Sequence, residues 1–530
     1  MKKLSLFLAI VMTVALFVPC MSFSVAAEGE DAICEIVSGT ETTPYTSLDD
    51  ATIELLDGDT LRLLADVTVE AEILLQGDDI VFDGNGFKIS STASNVFFVS
   101  GLNNRNLGYD YEGSITPEAA ATLPRVTVTI QNVFVETNAA TVFQVGNKTT
   151  LNLIDVYAKA TSGYIVNGKS FAFLGSVYNF VSGSYIGNKS DGPVLMFASD
   201  NVANFYGGYY QNTTTSSARC EQNEGTSVVN VYGGTFVHDT YREVMKALGS
   251  DTDKTNGYPV INLYGGTMIN AKTGRGGDTF CALGEKDGEI NECTFAVCLQ
   301  TALCDGTSSK SPEKLKGTVS DENAIKSGDD QYEMFNIAGQ DYYMSYQKQI
   351  PISTVAEKSV KFGADREGNT FHGIRFMSGV HAELIEYVES VKDEGTEVSY
   401  GTVILPADYA NKYGLSLDRA IGEGLAVVDI KAENGLTIDE EEGHAYFYAS
   451  LTNIKEANIA RDFAAVAYVE YVVNGFTVRQ YGLYDATQNV NLAALAVDAI
   501  AAALEDETLY NDDQIAVLEA FAAFAPAVEE

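Results

Sequence analysis

The chain has 530 residues, 46% of them hydrophobic, and a formal net charge of -40 from 73 acidic against 33 basic residues. Such a charge excludes nucleic acid and anionic membrane surfaces as partners, because both require clustered Lys and Arg. The length predicts either several domains or one long solenoid with an appendage.

Residues 1–27 have the three parts of an export signal. Lys2 and Lys3 form the basic start, residues 6–18 the apolar stretch, and Val25-Ala26-Ala27 a small-residue cleavage site before Glu28. The expected location is extracellular, with retention at the cell surface left open. No second stretch is apolar over a length that spans a bilayer, so membrane insertion is not expected.

Residues 47–89 read as a short amphipathic helix (Leu48, Ala51, Leu55), a turn, and strands with apolar residues at every second position. The run Asp83-Gly84-Asn85-Gly86 is a tight corner, since Gly and Asn tolerate positive φ. With Asp57-Gly58-Asp59-Thr60-Leu61-Arg62-Leu63-Leu64 before it, this segment resembles the N-terminal entry of secreted right-handed parallel β-helix proteins of the pectin-lyase-like superfamily. The resemblance implies a solenoid built from successive coils.

Coils can be counted from the residues themselves. Val128/Ile130, Leu151/Leu153, Tyr178/Phe180, Ala203/Phe205, Val229/Val231 and Ile261/Leu263 are alternate apolar pairs spaced 23, 27, 25, 26 and 32 residues apart. Alternation places each pair on one face of its strand, and stacked pairs make a continuous core. Asn204-Phe205-Tyr206-Gly207-Gly208 returns as Asn230-Val231-Tyr232-Gly233-Gly234 and Asn262-Leu263-Tyr264-Gly265-Gly266. If the middle residue points inward, Asn204, Asn230 and Asn262 point outward, as do Tyr206, Tyr232 and Tyr264. Coils about 4.8 Å apart would then present stacked rings beside amides, a surface suited to sugar rings. The blander reading is a side-chain ladder that only stabilises neighbouring coils, and a third is that the linker or the C-terminal module covers it. Residues 289–295 read as a last, degraded coil, and the insertions 101–121, 211–226 and 238–258 as projecting loops.

Cys34, Cys220, Cys281, Cys293, Cys298 and Cys304 remain after processing; disulfides and buried free thiols both stay open. Their spacing lacks a Cys-x-x-Cys, and no metal site is assigned.

Residues 28–305 are therefore assigned to the β-helix, 306–330 to a polar linker and 331–530 to a second module. In that module strands are predicted over 342–346, 373–377, 398–405, 425–430, 445–451, 464–473 and 477–483, with Asn474-Gly475 as a two-residue hairpin turn. Helices are predicted over 382–391, 491–504 and 512–524. The segments Gly373-Ile374-Arg375-Phe376, Tyr400-Gly401-Thr402-Val403-Ile404 and Leu451-Thr452-Asn453-Ile454-Lys455-Glu456-Ala457-Asn458 resemble a module recurrent at the C-termini of clostridial surface and secreted proteins. The overall class is mainly all-β: a parallel β-helix, then an antiparallel β-rich, sandwich-like module with terminal helices.

The superfamily resemblance implies a polysaccharide lyase or hydrolase, but fold alone does not grant activity. Asn-Thr-Asp, Gly-His-Gly and Arg-Ile-Lys, carried by polygalacturonase-like hydrolases, are absent, as is the Arg-x-Pro-x-x-Arg pattern of some lyases. The remaining catalytic candidates are His238, Asp239, Arg242 and Glu243, which put an imidazole beside a guanidinium and two carboxylates, the groups acid/base chemistry needs. An ordinary solvated loop is the simpler reading of them. The reading favours a non-catalytic recognition or adhesion protein with a polysaccharide or cell-surface glycan as partner, over an enzyme with an unfamiliar site or a structural spacer. No cofactor is assigned; calcium is the one cation left open, as a bridge to a polyanionic glycan.

Overall fold

The computed structural model describes residues 32–101, 122–138, 141–168, 175–198, 200–214, 219–238, 244–248, 260–264, 266–270, 280–281, 284–286, 289–291, 295–298, 325–326, 332–337, 340–347, 352–363, 370–413, 416–432, 436–439, 444–482 and 486–526. The expected signal segment and nearly all of the expected linker lie outside these residues.

The N-terminal half is a β-solenoid. Along one face run Thr60–Leu63, Ile80–Asp83, Val126–Thr137, Thr149–Ala160, Val177–Phe180, Val202–Phe205, Val228–Val231 and Val260–Leu263, each hydrogen-bonded to the next in parallel. A second face runs from Ile73–Gln76 through Asn95–Ser100, Thr141–Val145, Tyr164–Gly168, Leu195–Phe197 and Glu221–Glu224 to Met245–Leu248 and Phe280–Cys281. A third runs from Val67–Val69 and Lys88–Ser91 through the later halves of Val126–Thr137 and Thr149–Ala160 to Gly183–Gly187, Tyr209–Asn212, Thr235–His238 and Thr267–Asn270, in parallel register.

The inward pairs read from the sequence fall on common registers: Val128, Leu151, Tyr178, Ala203, Val229 and Ile261 form one column, and Ile130, Leu153, Phe180, Phe205, Val231 and Leu263 the next. Phe180 stacks on Phe205 at 4.7 Å, and Tyr185, Tyr210 and Phe236 continue the aromatic interior from the third face. Each fully buried ring of this size contributes about 1.5–3 kcal/mol relative to exposure.

Corners change character along the rod. In the earlier coils Asn132 and Asp155 take positive φ (53° and 52°) inside continuous strands. Later coils turn through Gly-Gly, with Gly208, Gly234 and Gly266 at φ 92°, 94° and 88°. A Cβ on Gly233 would lie 2.4 Å from the Tyr206 carbonyl oxygen of the previous coil, so that position requires glycine to let coils approach. The N-terminal end is closed by the antiparallel pair Cys34–Ser38 and Glu41–Tyr45 and by helix Leu48–Glu54, whose cap Ser47 accepts from the Asp50 N–H. The Asp83 corner behaves as expected: its Oδ1 accepts the Asn85 N–H at 2.9 Å, and Asn85 has φ 51°.

Three expectations about the solenoid are corrected. The stretches 211–226 and 238–258 are not simply projecting loops, because Glu221–Glu224 and Met245–Leu248 are paired strands of the second face. Residues 289–295 are not a last coil: Glu289–Asn291 forms an antiparallel hairpin with Gly284–Lys286, while Phe295–Cys298 joins Gln340–Gln347 in a separate four-stranded sheet.

The second half holds two further four-stranded antiparallel sheets. One orders Ile352–Lys361, Gly373–His381, His444–Thr452 and Thr437–Asp439; the other orders Val428–Lys431, Ser399–Pro406, Phe463–Val473 and Phe476–Tyr481. Asn474 and Gly475 both have positive φ (54° and 78°), which suits the twist of a tight hairpin. Helix Ala382–Val391 lies where predicted, and helices Leu492–Glu505 and Asp512–Ala522 cover Ile374, Phe376 and Ile404 with Leu492, Ala496 and Leu518. Among the described residues no helix is long and apolar enough to cross a membrane.

Candidate functional site

The outward face of the solenoid carries the two ladders anticipated from the repeat, and the structure treats them differently. The amides form a chain. Asn230 Nδ2 donates to Asn204 Oδ1 at 2.9 Å, Asn204 Nδ2 to Asn179 Oδ1 at 2.8 Å, Asn179 Nδ2 to Asn152 Oδ1 at 2.8 Å, and Asn152 Nδ2 to Thr129 Oγ1 at 3.2 Å. The row thus begins two coils before the Tyr-Gly-Gly repeat. Asn152 and Asn179 escaped notice because neither is followed by that signature. Asn262 continues the backbone register from Asn230; its side chain lies outside the described residues.

The tyrosines stack as the spacing demands. Tyr206 and Tyr232 lie 5.1 Å apart at 5°, and Tyr232 and Tyr264 lie 5.0 Å apart at 12°. Their expected exposure does not hold, because the second module sits on them. Tyr206 is only 2% exposed and joins a buried cluster with Val181, Tyr471, Val473 and Val478. Phe476 packs against its ring at 4.9 Å, and Asn474 Nδ2 donates to its hydroxyl at 3.5 Å. Gln480 Nε2 donates to the Tyr232 carbonyl at 3.4 Å, and the Tyr387 hydroxyl donates to the Tyr264 carbonyl at 3.2 Å. Burial pushes the Tyr206 and Tyr232 hydroxyls above the usual phenol range. Of the two covers left open for the tyrosine row, linker or C-terminal module, the contacts described here come from the C-terminal module.

A second contact lies beside the ladder. Helix Leu417–Gly422, which the sequence reading missed, packs on Thr149–Ala160 and Gly183–Gly187. Its Asp418 Oδ1 accepts the Gly183 N–H at 2.8 Å, and its Arg419 guanidinium lies 5.1 Å over the Tyr209 ring. A Cβ on Gly422 would meet Ser184 Oγ at 2.1 Å, so the helix reaches the solenoid through its glycine.

No family model, curated protein or solved structure matches this chain.

Of the four catalytic candidates, His238 alone is among the described residues. His238 ends the strand Thr235–His238, is 0% exposed, and has Nδ1 3.2 Å from the Asn212 carbonyl oxygen. It is therefore a corner residue of the wall and not part of a solvated loop. Asp239, Arg242 and Glu243 lie outside the described residues. Asn212, directly beside it in register, braces the same corner by donating to the carbonyls of Lys189, Gly192 and Arg219.

Just past that corner, Glu221 occupies the register between Leu195 and Met245, both members of the solenoid core, and is itself 0% exposed. A carboxyl in an apolar column has no periodic signature, which is why the polar run Glu221-Gln222-Asn223-Glu224 read as a loop. The neighbouring Cys220 thiol is pushed up by burial, and Cys34 is pushed up to about 11 for the same reason. Both are buried free thiols; the side chains of Cys281, Cys293, Cys298 and Cys304 lie outside the described residues.

Proposed function

We propose that the protein is an exported, non-catalytic recognition or adhesion protein related to the pectin-lyase-like β-helix superfamily, carrying a C-terminal module of the clostridial surface type. A polysaccharide or cell-surface glycan is its ligand class, and the contact surface is the asparagine row. The amide chain from Asn152 to Asn230 carries this reading. An amide offers two N–H donors and two acceptor lone pairs. Asn152 and Asn204 each use one donor and one lone pair along the row, so they keep hydrogen-bonding capacity for hydroxyls at a spacing of two coils, about 9.6 Å. Asn152 and Asn204 are only half-buried, flanked by the outward residues Thr150 and Val202.

The test is glycan-array binding by the processed chain and by the double variant Asn152→Thr/Asn204→Thr. Threonine keeps the strand preference, and Thr129 already ends the row as an acceptor. Array binding that falls at least tenfold in the variant supports the asparagine row; undiminished binding overturns it. Release of reducing ends or unsaturated uronates from a polysaccharide panel, with or without calcium, would overturn the non-catalytic reading. Mass spectrometry of culture medium, with Glu28 as the expected first residue, checks export.

A further inference from the structure

The seam between solenoid and second module contains a carboxyl that the stacking of tyrosines does not require. Asp418 sits on the short helix Leu417–Gly422, capped by Ser416, and is 9% exposed. Its hydrogen-bond donors are backbone N–H groups of the solenoid corners, Gly183 at 2.8 Å and Gly208 beside it. Among the described residues Asp418 has no ion pair. The two cations nearby are engaged elsewhere. Arg419 pairs with Glu423 at 2.9 Å. Arg479 pairs with Glu470 at 2.6 Å and Asp429 at 3.0 Å, and lies 4.1 Å from the Tyr468 ring centre.

The groups facing Asp418 come from both sides. From the solenoid they are Asp155 and Tyr157 on one strand, Tyr185 on Gly183–Gly187 and Tyr210 on Tyr209–Asn212. From the second module they are Arg479 and Tyr481, both on the strand Phe476–Tyr481. Asp155 adds like charge, and the tyrosine hydroxyls are held neutral by burial. An ionised carboxyl here lacks a counter-ion of its own, whereas lifting the module would return it to water.

We propose that Asp418 is a proton-operated latch, seating the second module on the solenoid more firmly at acidic pH than near neutrality. Burial raises the Asp418 carboxyl to about 6; Asp155 pushes in the same direction, while the Gly183 and Gly208 N–H groups and Arg479 work against it. A free aspartate titrates near 4. The seated form therefore binds the proton more tightly than the lifted form. Its contribution is complete below about pH 4 and is lost as pH rises through about 6.

Amide-resolved hydrogen exchange on the full chain, corrected for intrinsic rates, reads this directly at Gly183 and Gly208. Between about pH 5 and pH 7.5 the opening equilibrium at these two amides rises roughly tenfold in the unmodified protein. Asp418→Asn keeps an acceptor oxygen but no titrating proton, and its opening equilibrium stays flat. The amide of Phe143, remote from the seam, reports whether the solenoid itself responds to pH; a tenfold change there as well overturns the latch. So does an absent slope in the unmodified protein, or an equal slope in Asp418→Asn. Should Asp418→Asn leave both amides open at each pH, Asp418→Glu decides: a retained slope supports the latch and a lost slope overturns it.

Discussion

The inward and outward faces of the same strands obey different rules. On Val202–Phe205 and Val228–Val231, Phe205 and Val231 are buried by coils about 25 residues away in sequence, through contacts that repeat at every turn. One step further along, Tyr206 is buried just as completely, but by Asn474 and Phe476, some 270 residues later. Inward burial belongs to the repeat and outward burial to a single docking event. A buried residue in a solenoid can therefore report either the rod's own cohesion or its attachment to something else.

Substitutions should separate the two. Phe205→Ala opens a cavity among Phe180, Tyr210 and Phe236 and should cost about 3–5 kcal/mol, read as a lower urea midpoint for the solenoid. Tyr206→Ala should cost about 2–4 kcal/mol, but of docking. Proteolysis of the second module should quicken while the solenoid's own unfolding midpoint holds; a fall in both would erase the contrast. Asn204→Thr removes two amide hydrogen bonds from a half-buried row and should cost only about 1 kcal/mol in urea unfolding. A loss comparable to that of Phe205→Ala would mean the outward row holds the rod together as strongly as its interior.

What could be read in advance follows the same division. The inward pairs, the Asn474-Gly475 turn and the three helices at 382–391, 491–504 and 512–524 were legible because each is written in local periodicity or local turn chemistry. The Asn and Tyr stacking was legible too, since a motif returning after 26 and then 32 residues puts like residues on like positions. The cover over the tyrosines carried no local signal: Gln480 and Tyr387 are ordinary residues of a strand and a helix until the two modules meet. Helices Ala407–Tyr413 and Leu417–Gly422 were missed because they span barely two turns each, too short for a period to emerge. Glu221 was missed because an inward carboxyl contradicts the alternation that identifies a coil. His238 misled for the opposite reason: a polar residue in a polar stretch looked solvated, but its strand places it in the wall.

Repeat proteins tolerate the gain or loss of whole units, since each unit touches only its neighbours. The docked ladder restricts where this chain can change length. Tyr206 meets Asn474 and Phe476, Tyr232 meets Gln480, and Tyr264 meets Tyr387, so three successive coils are each matched to a different partner. A coil inserted before Val126–Thr137 would merely lengthen the rod. One inserted between Tyr206 and Tyr232 would displace every later rung by about 4.8 Å and leave two of the three partners facing the wrong turn. The tyrosine coils thus act as a fixed gauge inside an otherwise extensible molecule.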